Sequence, residues 1–265
     1  MKIRRLAAAI VALTVAACVP NDGSTPVVRS EPAALEATWR RALVALPGAP
    51  RPERLGAAEG AMAAMAPATP VPLVIYAHGC AGFGRETDVT LRTLAENDFA
   101  VIAPDYFARP DARTVCPGGS GRSAAAWTGG YYGGYVDRRV EEVAHALARA
   151  RALPWVDARR IYVVGHSMGG ATASQWPTAD VAGVAILGYD CLSNPQAQGL
   201  RVPATVPVLS ITDRRDPWMA ERVRGRSCGE FAFRRNFTSV VLNNGDHSIM
   251  PYPEAQEALL RFLRR

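Results

Sequence analysis

From residue 73 onward the chain alternates short, almost wholly apolar runs with longer amphipathic ones, and no other feature constrains the fold as strongly. The apolar runs fall at 73–77, 100–103, 161–164, 181–187, 208–212 and 239–242. A strand with one wet face would alternate apolar and polar residues; these do not, so they are predicted to be strands buried on both faces. Between them, 88–97, 135–153, 168–175, 217–222 and 253–264 have helical periodicity. The pattern predicts an α/β fold, a mostly parallel sheet flanked by helices. Upstream, 33–46 reads as a helix, and 48–72, rich in Ala, Pro and Gly, offers only a helical turn near 58–65.

The first residues read as an address rather than as structure. Lys2, Arg4 and Arg5 precede an apolar run at 6–17 that is too short to span a bilayer. Val15-Ala16-Ala17-Cys18 resembles the lipobox of bacterial lipoproteins, which implies cleavage before Cys18 and a lipid on its thiol. The expected organisation is a signal peptide at 1–17, a polar tether at 18–32 and a single domain at 33–265. The product would be an exported, membrane-anchored lipoprotein facing the periplasm or the cell surface. Losing the three basic residues lowers the formal charge from +6 to +3, and no basic cluster remains to argue for nucleic acid. Export also puts Cys80, Cys116, Cys191 and Cys228 where disulfides persist, while the absence of C-x-x-C spacing argues against structural zinc.

Gly165-His166-Ser167-Met168-Gly169 fits G-x-S-x-G, directly after one apolar run and directly before a small-residue helical segment. That strand-turn-helix context lifts a serine hydroxyl above the sheet at a helix start, where a negative oxygen is favoured. The hydroxyl needs a base, and His247 is the one histidine after Ser167. The base needs an orienting carboxylate; Asp216 is favoured, with Asp213 and Asp190 as rivals and Asp246 as a turn residue. His78 and His166 sit in motifs whose backbone matters more, and His145 lies within a helix. The oxyanion donors would be the amides of Met168 and Cys80, the latter in His78-Gly79-Cys80-Ala81-Gly82 after the first strand.

On these motifs, together with Ala103-Pro104-Asp105, Leu153-Pro154-Trp155, Asp216-Pro217-Trp218 and Gly245-Asp246-His247, the chain resembles the α/β-hydrolase superfamily. Within it, the dienelactone-hydrolase-like branch is most similar. The resemblance runs from about residue 72 to the C-terminus and implies the α/β-hydrolase fold. Two departures stand out. Dienelactone hydrolases proper use a cysteine nucleophile where this chain has Ser167, and the usual leading antiparallel strands are not evident, which allows a reduced N-terminal part of the sheet. The superfamily's strand order implies the pairs Cys80–Cys116 and Cys191–Cys228, each joining loops that leave adjacent strands.

The expected activity is hydrolysis of a small-molecule carboxylic ester through an acyl-enzyme, with no metal or organic cofactor. An exopeptidase or amidase with the same triad, and a non-catalytic binding lipoprotein, are the alternatives. The segment 106–134, with Arg109, Cys116, Trp127, Tyr131 and Tyr132, is too long for an ordinary connection and is expected to line or cover the site.

Overall fold

The computed structural model describes residues 30–65, 69–112, 116, 134–194, 197–232 and 234–265. The signal segment, Cys18, most of the tether, and Trp127, Tyr131 and Tyr132 lie outside these residues. The elements are α1 (Pro32–Arg40), β1 (Leu43–Leu46), β2 (Ala49–Arg54), α2 (Leu55–Ala64), β3 (Val71–Ala77), α3 (Arg85–Ala95) and β4 (Ala100–Ala103). They continue with α4 (Tyr135–Arg151), β5 (Val156–His166), α5 (Met168–Ser174), β6 (Gly183–Leu187), β7 (Val208–Asp213), β8 (Phe237–Leu242) and α6 (Pro253–Leu263).

One eight-stranded sheet runs in the order β2-β1-β4-β3-β5-β6-β7-β8. β1 is antiparallel to both neighbours, and every pairing from β4 to β8 is parallel. The period of two along β3 sorts its side chains between two apolar layers. Leu73, Ile75 and Ala77 pack with Met62 of α2, Val143 and Leu147 of α4, and Ala171 of α5. Val74 and Tyr76 pack on the other face with Leu91 and Leu94 of α3 and Leu259 and Phe262 of α6. The sheet is thus covered on both sides, which is why its inner strands are continuously apolar. Helix ends agree with the dipole: Glu86 and Asp88 open α3 and Arg92 closes it, and Pro253 opens α6.

Five expectations are corrected. The helix at 33–46 ends at Arg40, and its apolar tail becomes β1, because Leu43, Val44 and Ala45 pair with Ala103, Ile102 and Val101 of β4. Gly48, at φ 80°, then turns the chain into β2, which carries Pro50 and Pro52 and, among the described residues, pairs only with β1. The leading antiparallel strands are therefore present and the sheet is not reduced. The turn near 58–65 belongs to a full helix, α2. The segment 217–222 is not an α-helix but a turn followed by a single 3-10 turn at Glu221–Val223, since the Asp216 side chain captures the Trp218 amide at 2.7 Å. Finally, β8 ends the sheet, so only Leu242 of its residues is buried.

Candidate active site

β5 leads into a sharp turn. Ser167 has φ 57° and ψ −114°, a strained conformation for a residue with a side chain. Its N–H donates to the Leu187 carbonyl at 2.8 Å, and its own carbonyl accepts the Ala171 N–H at 2.9 Å, so sheet and helix hold the turn from both ends. The flanking glycines are steric necessities. A Cβ at Gly165 would lie 2.0 Å from the Gly169 carbonyl oxygen, and one at Gly169 would lie 1.8 Å from that of Ala77.

His247 reaches the serine from the loop between β8 and α6. Ser167 Oγ–H donates to His247 Nε2 at 2.8 Å, and His247 Nδ1–H donates to Asp216 Oδ2 at 2.7 Å. Asp216 is 1% exposed, and its other oxygen accepts the Trp218 amide. The Trp218 ring stacks on His247 at 5.2 Å between centroids. Of the three carboxylates considered for the orienting role, only Asp216 meets the ring. Asp213 instead accepts the amides of Arg215, Asn244 and Gly245, tying the exit of β7 to the His247 loop. Asp190 accepts those of Leu192 and Ser193, and Asp246 accepts that of Ser248.

Cys80 lines a cavity together with Gly79, Ser167 and His247, and Met168 follows the serine directly at the start of α5. Three features shape the loop that carries Cys80. Gly82 turns it at φ 85°. Buried His78 donates from Nδ1 to the Gly79 carbonyl at 2.7 Å and accepts the Tyr106 amide on Nε2 at 3.3 Å. Burial, reinforced by Arg139, keeps that imidazole neutral. The third is a disulfide to Cys116, with a Cα separation of 5.1 Å; Cys191 and Cys228 form the second, at 5.0 Å. Both pairings are those the strand order implies.

Two side chains that sequence reasoning did not assign brace the His247 loop. His166 Nε2 donates to the His247 carbonyl at 2.8 Å, and burial, with His247 nearby, pulls its pKa down to about 3. Both Glu86 carboxyl oxygens accept the Met250 amide at 3.1 Å, and burial pushes this acid up to about 8. The identity of His166 within the elbow was a visible cue; nothing local marks Glu86, whose partner is 164 positions away. His145, by contrast, faces Glu36 on the surface at 3.3 Å.

The model of the family described as "Dienelactone hydrolase family" matches residues 60–262. Among solved structures, a putative dienelactone hydrolase from Klebsiella pneumoniae shares 18% identity over 74% of this chain and 86% of its own, with a TM-score of 0.51. The esterase Pf2001 of Pyrococcus furiosus shares 14% identity over 74% and 83%, with a TM-score of 0.54. Est1E of Butyrivibrio proteoclasticus shares 15% over 84% and 94%, at 0.51. A search of curated proteins gave no significant match. Identities this low establish likeness of fold.

Proposed function

The chain belongs to the dienelactone hydrolase family, and from that premise we propose that it is a serine hydrolase cleaving carboxylic esters through an acyl-enzyme. The observation that carries this reading is the continuous relay from Ser167 Oγ through His247 to Asp216, with both bonds within 2.8 Å. Ser167 Oγ attacks the ester carbonyl carbon while His247 Nε2 takes its proton. Asp216 holds the ring in the required tautomer and stabilises the imidazolium. The amides of Cys80 and Met168 receive the oxyanion. As the carbonyl reforms, the alcohol departs with the proton from His247. Water then repeats the sequence and releases the acid, leaving the enzyme unchanged.

Dienelactone hydrolases proper use a cysteine nucleophile where this chain has Ser167, so the dienelactone reaction itself is not the proposed one. Labelling with a fluorophosphonate, followed by a screen of chromogenic esters and aminoacyl amides, tests the reading. Labelling at Ser167 with ester turnover supports it; amide turnover without ester turnover, or no label at all, overturns it. The lipobox-like Val15–Cys18 stretch supports a further part of the proposal, an exported protein anchored through lipid at Cys18.

A further inference from the structure

Two cavities meet at the relay: Ser167, Trp218 and His247 line both. The first lies beside α5 and the exit of β6, walled by Met168, Ala171, Tyr189 and Met219 together with Ser193 and Asn194. Measured as the space open to the centre of a water molecule, it holds about 20 Å³. One water needs roughly 10–15 Å³ on that measure, so the pocket accepts a methyl or ethyl group and little more. The second lies between the Cys80 loop and the start of α3. It holds about 180 Å³ on the same measure, and its wall includes the polar side chains of exposed Arg85, buried Glu86 and Thr87, and half-buried Ser248.

Building on the ester-hydrolase reading, we infer that the substrate is an ester of a two- or three-carbon acid with a bulky, polar alcohol. The acyl chain occupies the narrow cavity and the alcohol the wide one. The chemistry decides which group goes where. The acyl carbon becomes bonded to Ser167 Oγ and stays there through the second half of the cycle, so its chain can sit in the narrow, mainly apolar pocket. The alcohol must leave with its proton and be replaced by water within reach of His247, so it belongs in the wider cavity. An acyl chain longer than the narrow pocket would have to displace Met219 or Tyr189, both buried.

The test is a series of p-nitrophenyl esters from acetate through propionate and butyrate to octanoate. We expect kcat/KM to be highest on acetate or propionate and to fall about tenfold or more with the first methylenes beyond them. Met219→Ala should move the preference toward butyrate, raising its ratio to acetate by about tenfold. On the alcohol side, glucose pentaacetate should release acetate, and Arg85→Ala should lower kcat/KM on it more than on p-nitrophenyl acetate. A labelled Ser167 with octanoate hydrolysed as well as acetate, or a length preference that Met219→Ala leaves in place, overturns the cavity assignment alone. Protein that neither labels nor turns over any ester overturns the ester-hydrolase reading with it.

Discussion

The imidazole of His166 donates a hydrogen bond to the backbone carbonyl of His247, so the residue preceding the serine holds the peptide of the residue that would deprotonate it. The rings lie 4.9 Å apart, and a pKa near 3 leaves His166 neutral at ordinary pH, a fixed donor rather than a second base. Losing the bond would let the His247 loop drift relative to Ser167. His166→Leu is therefore expected to lower kcat by about 10²-fold with little change in KM, because sub-ångström placement is what is lost. His166→Gln, which keeps an amide donor, should recover much of the activity. Steady-state kinetics on both variants decide it; equal losses would argue for packing alone.

Ser167→Ala and His247→Ala should each abolish ester turnover with the fold retained, and the double variant should be hardly worse, because the two act in one proton-transfer unit. Asp216→Asn should cost on the order of 10⁴ in kcat by favouring the wrong histidine tautomer. Asp213→Asn, which disturbs a backbone knot rather than the ring, should act mainly on stability. If Ser167→Ala kept near-wild-type turnover, or the Asp213 variant lost more kcat than the Asp216 variant, the assignment would be wrong.

Burial raises the Glu86 pKa from 4.5 to about 8. Between these values the folded protein keeps a proton that the unfolded chain has released. This contribution to stability is complete below about pH 4.5 and is lost as pH rises through about 8. Glu142, raised to about 7 by burial, acts in the same direction. Glu86→Gln keeps an acceptor for the Met250 amide without the titration. Its unfolding free energy, from urea melts across that range, should depend less steeply on pH, by up to about 1.4 kcal/mol per unit. Parallel slopes in variant and wild type would falsify the assignment.

The two disulfides should separate by function. Cys116→Ser frees the loop that carries the Cys80 amide, so its main cost is expected in kcat. Cys191→Ala together with Cys228→Ala removes a link across 37 positions, and its main cost is expected in stability, about 2–4 kcal/mol. Kinetics and denaturation of both variants test this, after non-reducing peptide mapping has established the pairs. Free thiols at Cys80 and Cys116 in that map would remove its basis.

Cys18→Ala should release the protein from membranes as uncleaved or soluble material, since lipid is the proposed anchor. Fractionation of the native host provides the check. Unaltered protein found wholly in the soluble fraction, without lipid, would count against the proposal.

The inner strands were legible because burial on both faces writes itself into sequence as unbroken apolar runs: 100–103 coincides with β4, and 208–212 falls one residue short of β7. The serine, the histidine and the favoured carboxylate were legible because each stands at a strand exit within a short motif. β1 was hidden because Val44, Ala45 and Leu46 continue the apolar pattern of the preceding helix, and only pairing with β4 and β2 makes them a strand. β2 was hidden for the opposite reason: Ala49-Pro50-Arg51-Pro52-Glu53-Arg54 has almost no apolar content. The brace from His166 shows in sequence only as a histidine inside the elbow, and that from Glu86 not at all, because each depends on a partner brought near by folding, 81 and 164 positions away.

The prolines of β2 bear on how the molecule meets its own copies. An outermost strand offers a row of unpaired backbone donors and acceptors, a template on which another chain can grow the sheet. β2 occupies that border, and Pro50 and Pro52 bring no N–H to it, while Arg51, Glu53 and Arg54 add charge of both signs. A strand with so little helical or apolar character is poor at propagating itself. The same composition that made it unreadable in sequence makes that side of the protein a terminus, resistant to the edge-to-edge growth that leads to fibres.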